Sequence, residues 1–280
     1  MDFSSDALSI ERRGAVGTLW LDRPEKRNAM NPEMWKGLPG AIDALTADGE
    51  TRAIVLAGKG KSFCVGLDLT AMLGGGGVEG GDAASPPPSR AAANLRQLDV
   101  TREFQRGISA IADAPVPVIA AIHGHCLGGG VDIATACDVR LASKDATFSV
   151  RETRIGIVAD VGTLQRLPRV VSAGHVAELA YTGKDIDAAR AEKIGLVNDV
   201  YADFDTTYEA AFTMATEIAA NAPLAVRGTK FILRESEDLT TDQSLLLNGM
   251  WTMITSLESN DLAEAMAAFR EKRAPEFKGS

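Results

Sequence analysis

A run of glycines gives the first indication of chemistry in this sequence. The apolar residues 116–122 lead into three consecutive glycines at 128–130, and a helical pattern starts at Val131. Because glycine has no Cβ, the backbone at such a site can approach a ligand closely. The N–H groups at the start of a helix can then stabilise an oxygen that gains negative charge. A tight helix–strand crossing needs the same glycines, so this run alone favours neither interpretation.

A second segment favours the ligand-binding interpretation. Residues 62–69 follow another apolar run, at 53–57, and supply a further N–H group that can face the same oxygen. A pair of N–H donors from two loops is typical of a site that stabilises an oxyanion.

Three other patterns match known ligand motifs only in part. The glycines within 75–80 fit G-x-G-x-x-G, but no strand leads directly into them, so we expect a loop. Residues 60–62 resemble the end of a phosphate-binding loop, but Val55 stands where that loop needs its first glycine. His123 and His125 lack the neighbouring acids or cysteines of a metal site. We predict neither a nucleotide site nor a metal site.

The elements that position these segments follow from hydrophobic periodicity. Apolar runs typical of strands lie at 16–21, 53–57, 116–122 and 139–142. Asn31 followed by Pro32 predicts a helix start. One face of that helix would carry Met34, Leu38, Ala41, Ile42 and Leu45, and a later helical stripe carries Phe104, Ile108 and Ile111.

The remaining segments divide into a loop and a helical end. Residues 74–93 are rich in Gly, Pro and Ala and predict a mobile surface loop. Helical patterns dominate after Ser172, and one helix is expected to begin near Pro223 and to reach Glu235. The pattern predicts an α/β core to about residue 200, followed by a mainly helical part.

Composition limits the class of protein. With 280 residues, 45% of them hydrophobic, we expect a soluble chain of one large domain, or of one domain with a helical appendage. A net charge of −9 argues against general affinity for nucleic acid or anionic membranes. Three cysteines without metal or redox spacing, and no recognisable targeting signal at either end, favour a cytoplasmic location.

Motifs along nearly the whole chain resemble the crotonase family, which contains the enoyl-CoA hydratases and isomerases. They are, in order, 23–30 (RPEKRNAM), 66–69 (GLDL), 119–122 with 128–130, 136–138 (ACD), 162–167 (GTLQRL), Gly183, 188–197 and 269–277. The resemblance extends from about residue 8 to 277. Many ordered motifs at compatible spacing are a more specific signal than the partial matches above.

The resemblance implies a crotonase-like (ClpP/crotonase) α/β fold of repeated ββα units. It assigns residues 1–200 to an acyl-CoA-binding catalytic core and 201–280 to a helical trimerisation region. It also implies that the N–H groups of Leu67 and Gly129 bind the thioester oxygen. Loss of a proton beside a thioester gives an enolate, which two preorganised donors stabilise more than the ground state.

Three carboxyl groups distinguish members of this family. A hydratase typically carries Glu at the position of Asp132, Glu at that of Glu152 and Gly at that of Asp160. The set found here resembles that of Δ3,5-Δ2,4-dienoyl-CoA isomerases, which move a double-bond pair without adding water. We expect Glu152 to act as the base at C2 and Asp160 as the donor at C6, with the reverse assignment open. Asp132 would adjust the protonation of both.

Each acid also has a purely structural interpretation. Asp132 in the first turn of a helix can complement the helix dipole. Glu152 lies between two arginines and can form a surface ion pair of little energetic value. Asp160 lies within the apolar stretch 155–161, where burial of an unpaired acid would be costly, and this favours a functional role.

CoA is anionic, so an acidic protein needs local cations to bind it. The expected substrate-binding residues are Lys26, Arg27, Ala29, Gly66, Asp68, Gly128 and Lys272. The cations among them are candidates by their position, and ordinary surface charge that keeps the protein soluble is the alternative at each. Further cations are present at Arg23, Arg273 and Lys278. We expect no metal or redox cofactor, since backbone dipoles stabilise the enolate. The expected partners are an acyl-CoA substrate and further copies of the chain, as a trimer or a dimer of trimers.

An isomerase of 3,5-dienoyl-CoA is the leading interpretation. The alternative is a hydratase of 2-trans-enoyl-CoA, and Asp160 discriminates between the two. A non-catalytic scaffold or an RNA-binding protein of the same fold is disfavoured by the charge of −9 and by the retained acids.

Overall fold

The computed structural model describes residues 3–73 and 89–280. Its strands are β1 (Leu8–Arg13), β2 (Val16–Leu21), β3 (Ala53–Gly58), β4 (Val118–Ile122), β5 (His125–Leu127), β6 (Val139–Ser143), β7 (Thr147–Ser149), β8 (Ile186–Asp187) and β9 (Asp199–Tyr201). Its helices are α1 (Pro32–Thr46), α2 (Leu69–Leu73), α3 (Arg90–Asp113), α4 (Gly129–Ala136), α5 (Thr163–Val170), α6 (Ala173–Thr182), α7 (Ala188–Lys193), α8 (Phe204–Ala219), α9 (Pro223–Glu235), α10 (Thr241–Trp251) and α11 (Asn260–Glu271). Within these described ranges, no helix combines the length and apolarity needed to cross a membrane.

Two sheets organise the first part of the chain. A six-stranded sheet has the order β1-β2-β3-β4-β6-β9, with β1 and β2 antiparallel and the other pairs parallel, and a small sheet has the order β5-β7-β8. Ile54 of β3 lies opposite Val118 of β4. Because these neighbouring strands are parallel, the loops that follow them leave from the same edge. The two segments singled out above, 62–69 and 123–130, therefore meet there.

Both faces of the large sheet are covered. Leu56 and Ala120 face a core that includes apolar side chains of α1 and α3. Val55 and Ile119 face the other way and pack with Ala211 and its neighbours on α8. Burial on both faces explains why β3 and β4 are continuous apolar runs in the sequence.

Most predicted elements are present, with small differences at their ends. Asn31 caps α1 by accepting the Met34 N–H at 3.0 Å, and the predicted apolar face of α1 is buried. The strand predicted at 116–122 begins two residues later, at Val118. Pro117 at that boundary has no N–H to donate to a sheet, although its carbonyl accepts the Ile54 N–H at 2.8 Å.

The low-complexity loop was predicted to extend too far. Residues 91–93 are helical, because Ser89 caps α3 by accepting the Ala92 N–H at 3.2 Å. The rest of that predicted loop, 74–88 with the glycines of 75–80, lies outside the described residues.

The packing of α8 shows that the predicted division at residue 201 does not separate two hydrophobic cores. This helix packs directly on the six-stranded sheet, so one hydrophobic core contains residues from both sides of that position. The division into 1–200 and 201–280 separates mixed structure from helical structure along the chain, and the trimerisation role of the second part stays a prediction.

Candidate active site

The two predicted N–H donors come from segments that lie side by side. Cys64 donates its N–H to the His125 carbonyl at 2.9 Å, and its own carbonyl accepts the Leu127 N–H at 2.9 Å. These bonds continue the alignment set by β3 and β4. They bring Leu67 beside the start of α4, where Gly129 is the first residue.

Glycines allow a very close approach at this point. Gly66 has φ +88°, and a Cβ added to it would lie 3.2 Å from the Gly129 nitrogen. A Cβ on Gly130 would lie 2.6 Å from the Cys64 carbonyl oxygen. Gly130 therefore allows the close packing of α4 on residue 64, whereas Gly66 precedes the Leu67 amide and Gly129 carries the second amide. Neither the Leu67 nor the Gly129 N–H donates a hydrogen bond within residues 3–73 and 89–280.

A cavity of about 600 Å³ opens onto these amides. Leu67, Gly129 and all three predicted acids, Asp132, Glu152 and Asp160, lie in its wall. The apolar part of the wall includes Trp35, Leu69, Phe104, Ile155, Ile157 and Val161. The cavity thus combines oxyanion donors, carboxyl groups and an apolar surface.

Glu152 is buried and does not form the surface ion pair considered above. A 3-10 turn (Glu152–Ile155) follows β7 and places its Oε1 3.1 Å from the position that a Cβ on Gly128 would occupy. The neighbouring Arg151 binds Asp185 at 2.7 Å instead. Burial raises the pKa of Glu152, and the charge of Asp160 raises it further. A carboxyl group of this kind is suited to accept a proton near neutral pH.

Asp132 is completely buried on α4. Its Oδ1 accepts hydrogen bonds from the N–H and the hydroxyl of Thr163, at 2.5 and 2.7 Å. Burial raises the pKa of Asp132 to about 7; the bonds from Thr163 oppose that shift and the charge of Glu152 adds to it. Complementing the helix dipole favours an ionised group, so it does not account for this environment.

Asp160 is exposed, contrary to the burial expected from its apolar neighbours. Ile155 and Val158 are 49% and 69% exposed. The segment between Gly156 and α5 has no helix or strand, and it forms part of the cavity wall rather than of the core. Gln105 of α3 donates to the Asp160 carbonyl at 2.6 Å. The costly-burial argument for Asp160 was wrong, but the residue does share a cavity with the other two acids.

Residues 11–280 match the protein family described as enoyl-CoA hydratase/isomerase. The chain belongs to this family of enzymes, the crotonase family.

It is 40% identical over 273 residues to the mitochondrial Δ(3,5)-Δ(2,4)-dienoyl-CoA isomerase of Dictyostelium discoideum, an alignment that covers 97% of this chain and 91% of the relative. It is 38% identical over 277 residues to the peroxisomal Δ(3,5)-Δ(2,4)-dienoyl-CoA isomerase of Arabidopsis thaliana, with 98% of each chain covered. The crystal structure of an enoyl-CoA hydratase from Bacillus anthracis superposes with a TM-score of 0.86 at 29% identity, covering 98% of this chain and 100% of that one. The predicted crotonase-like fold is confirmed.

The predicted substrate-binding residues of this crotonase-family chain lie in different surroundings. Arg27, Gly66 and Gly128 line the cavity. Lys26 is exposed in the turn just before Arg27, whereas Lys272 is exposed at the end of α11 and does not line the cavity.

Two further predicted binding residues have structural contacts. Arg23 donates to the Ala29 carbonyl at 2.5 Å and to the Asp68 carboxylate at 3.1 Å. The pKa of Asp68 is lowered to about 2, and the hydrogen bond from the Thr70 hydroxyl is the largest cause. Arg23, Ala29 and Asp68 thus join two crotonase motifs, and Arg23 is not a free cation.

Several residues of the site escaped sequence reasoning. Trp35 and Phe104 stack with ring centroids 5.0 Å apart in the cavity wall. Thr163 binds Asp132, and Gln105 binds the Asp160 segment. For Thr163 a signal was present in the sequence, since it belongs to the family motif at 162–167. For Gln105, the only signal in the sequence was that it directly follows Phe104, a residue of the predicted helical stripe.

Proposed function

We propose that this crotonase-family enzyme converts 3,5-dienoyl-CoA to 2,4-dienoyl-CoA. The observation that carries the proposal is the position of Glu152 and Asp160 in the wall of one cavity, together with the Leu67 and Gly129 amides. A proton donor and a proton acceptor at separate points suit a substrate whose reacting carbons are C2 and C6.

In the first step the thioester oxygen lies against the two amides and Glu152 takes a proton from C2. The electron pair of that C–H bond is delocalised into the thioester and the conjugated double bonds. The amides stabilise the resulting enolate oxygen, and one such donor contributes ~3–4 kcal/mol. The raised pKa of Glu152 improves its match to this proton transfer.

In the second step Asp160 gives a proton to C6. The double bonds at C3 and C5 then become double bonds at C2 and C4, and the substrate has lost one proton and gained one. No water is added, and the proposed reaction uses no metal or redox cofactor. The enzyme returns to its starting state when Glu152 releases the proton taken from C2 and Asp160 regains one; the exposed Asp160 can exchange its proton with solvent directly.

The names of the relatives support this assignment, and the hydratase provides the alternative. The relatives from Dictyostelium and Arabidopsis are dienoyl-CoA isomerases by name, whereas the structural neighbour from Bacillus anthracis is an enoyl-CoA hydratase. Asp160 favours the isomerase, since addition of water to a 2-enoyl-CoA has no need of a donor at C6.

A direct assay separates the two activities. Purified protein is incubated with a 3,5-dienoyl-CoA and, separately, with a 2-trans-enoyl-CoA. We expect the ultraviolet band of a 2,4-diene to appear in the first mixture and the enoyl absorbance to fall only slowly in the second. Rapid hydration with no diene formed would replace the isomerase by the hydratase.

We also propose that the enzyme assembles as a trimer or a dimer of trimers. Large apolar side chains of α9 to α11 are exposed in the single chain, among them Leu233, Leu246 and Phe269, which is 84% exposed. Exposed apolar patches of this kind mark contact surfaces between proteins.

The cytoplasmic location predicted from the sequence finds no support in the relatives. The Dictyostelium protein is named mitochondrial and the Arabidopsis protein peroxisomal. We retain cytoplasm as a proposal, to be tested by fractionation of the cells that produce this chain.

A further inference from the structure

The two carboxyl oxygens of Asp132 have unequal surroundings. Oδ1 accepts the N–H of Thr163 at 2.5 Å and its hydroxyl at 2.7 Å. Oδ2 is buried and has no hydrogen-bond partner among the described residues. Thr163 is itself 1% exposed, at the first position of α5, so both of its donors are held in place.

Glu152 has a matching unpartnered oxygen. Its Oε2 is buried without a hydrogen-bond partner in the part of the chain that the structure describes. Gly128 contacts both residues: its carbonyl accepts the backbone N–H of Asp132 at 3.2 Å, and a Cβ on it would lie 3.1 Å from Glu152 Oε1. Two buried carboxyl groups with unpartnered oxygens thus belong to residues of one cavity wall.

Several other groups interact electrostatically with Asp132. They are Glu152, the Arg166 guanidinium and the buried thiols of Cys64 and Cys126. Asp160 lies elsewhere in the same cavity wall. Arg166 favours the ionised form of Asp132, but its Nη2 is already bonded to the Ser109 hydroxyl at 2.9 Å. Burial, with the charge of Glu152, outweighs it and raises the pKa of Asp132 to about 7. An acyl chain that displaces water from the cavity favours the neutral form further.

We infer that Asp132 works as a neutral carboxylic acid with its proton on Oδ2, and that Thr163 is the positioning residue that puts the proton there. Two donor hydrogens already face Oδ1, so that oxygen cannot carry a hydrogen of its own. The O–H on Oδ2 is then available to the cavity side, where the Glu152 carboxylate also lies. Asp132 keeps this proton throughout and transfers none.

This role deepens the proposed function and rests on it. A neutral Asp132 puts no second negative charge near Glu152, so Glu152 can stay ionised, as a base must be before it takes the C2 proton. Two ionised carboxylates in one cavity wall would repel each other, so we expect the pair to hold one proton near neutral pH, and that proton stays on Asp132.

Two substitutions at Asp132 test the protonation state. Asp132→Asn keeps an oxygen for the Thr163 donors and replaces the O–H by an N–H. We expect it to retain kcat/KM within about ten-fold of the wild type, whereas Asp132→Leu, of similar size but without a donor, loses ~10²-fold. An Asn variant that is folded and as inactive as the Leu variant would show that an ionised carboxylate is required, and would overturn the inference.

Variants of Thr163 are tested through the pH dependence of kcat/KM, which would stay unchanged if Thr163 had a purely structural role. The hydroxyl of Thr163 lowers the pKa of Asp132, so its loss in Thr163→Val raises that pKa. The neutral form then persists to higher pH, and the alkaline limb of kcat/KM moves upward by about one pH unit, which corresponds to ~1.4 kcal/mol. Thr163→Ser keeps the hydroxyl, so its alkaline limb is expected at the wild-type pH. Asp132→Asn cannot lose a proton from this side chain, so its profile is expected to lack that limb. An alkaline limb that stays in place in Thr163→Val would refute the positioning role, even if Asp132→Leu fails to fold.

Each variant is measured in two reactions, isomerisation of a 3,5-dienoyl-CoA and deuterium uptake at C2 from heavy water. The second reaction needs Glu152 and the two amides but not Asp160. Absence of isomerisation in the wild type would remove the proposed function alone. The Asn-to-Leu comparison and the pH profiles in C2 exchange then still decide the role of Asp132: equal loss, or an unmoved limb, contradicts it.

Discussion

Replacement of Gly66 by alanine tests the paired amides most directly. The added Cβ would lie 2.7 Å from the Leu127 carbonyl oxygen and 3.2 Å from the Gly129 nitrogen. Both neighbours are backbone atoms, so the methyl group is accommodated only if the segment containing Leu67 and the start of α4 move apart. Ordinary contact begins near 3.4 Å, so relief of the closer contact requires a displacement of about 0.7 Å.

That displacement is large on the scale that matters for catalysis. Misplacement of a reacting group by ~1 Å can reduce a rate ~10²-fold, and loss of one oxyanion donor reduces kcat by ~10²–10³-fold. We therefore expect kcat of Gly66→Ala to fall about 10²-fold. The positive φ of +88° adds a loss of stability of ~1–2 kcal/mol that is unrelated to the donors.

Gly14→Ala is the matched control for backbone strain. Gly14 has φ +63° and no atom within 4 Å of an added Cβ, so this variant shares the strain but not the clash. Rates are measured from the growth of 2,4-diene absorbance, and stability from urea unfolding followed by circular dichroism. A folded Gly66→Ala protein that turns over as fast as Gly14→Ala would refute the argument. Leu67→Pro, which removes one N–H outright, checks the same donor pair by a different route.

Three further predictions follow from the site and the C-terminal helices. Asp160→Asn removes an acid/base group, so isomerisation is expected to fall ~10²–10⁴-fold while deuterium uptake at C2, read by mass spectrometry, largely survives. Gln105→Met removes the hydrogen bond to the Asp160 carbonyl, so isomerisation is expected to fall about two- to ten-fold with C2 exchange unchanged. Sedimentation is expected to give a trimer or a hexamer, and Phe269→Asp to weaken that assembly, because Phe269 is 84% exposed in the single chain.

Each of these predictions has a control and a contrary outcome. Asp205→Asn, on the exposed side of α8, is the control for Asp160→Asn, and equal isomerase activity in the two would contradict the C6 role. Arg106→Met changes an exposed neighbour of Gln105 on the same helix, and equal effects of the two changes would leave the anchoring role unsupported. A monomer of 29.5 kDa at micromolar concentration would contradict the assembly.

Strong periodicity in the sequence was enough to predict the central elements. The strands β2 to β4 and the helix α1 have long apolar patterns and clear end signals, and they form within two residues of the predicted bounds. β1 was missed because it lies at the edge of the sheet and carries Glu11, Arg12 and Arg13. β5 and β7, of three residues each, are too short for alternation to show.

The site could be predicted only where local motifs described it. The glycine runs identified the amides, and family resemblance identified the three acids. The exposure of Asp160 was misjudged, because an apolar segment that lines a cavity has the same composition as one that enters the core. Thr163 and Gln105 act on residues 31 and 55 positions away, and no local pattern reports contacts over that separation.

The three acids of the cavity differ above all in burial, and this difference matches the work proposed for each. Asp132 is 0% exposed and Glu152 is 9% exposed, whereas Asp160 is open to solvent. A donor that must be reprotonated in every turnover benefits from contact with water. A base for a weakly acidic C–H bond benefits from the raised pKa that burial gives it. The most buried acid sits beside Glu152 and cannot also carry a charge without repelling it, so its neutral form completes the set. One fold thus obtains three proposed roles from side chains of nearly the same chemistry, through their different burial in a single cavity.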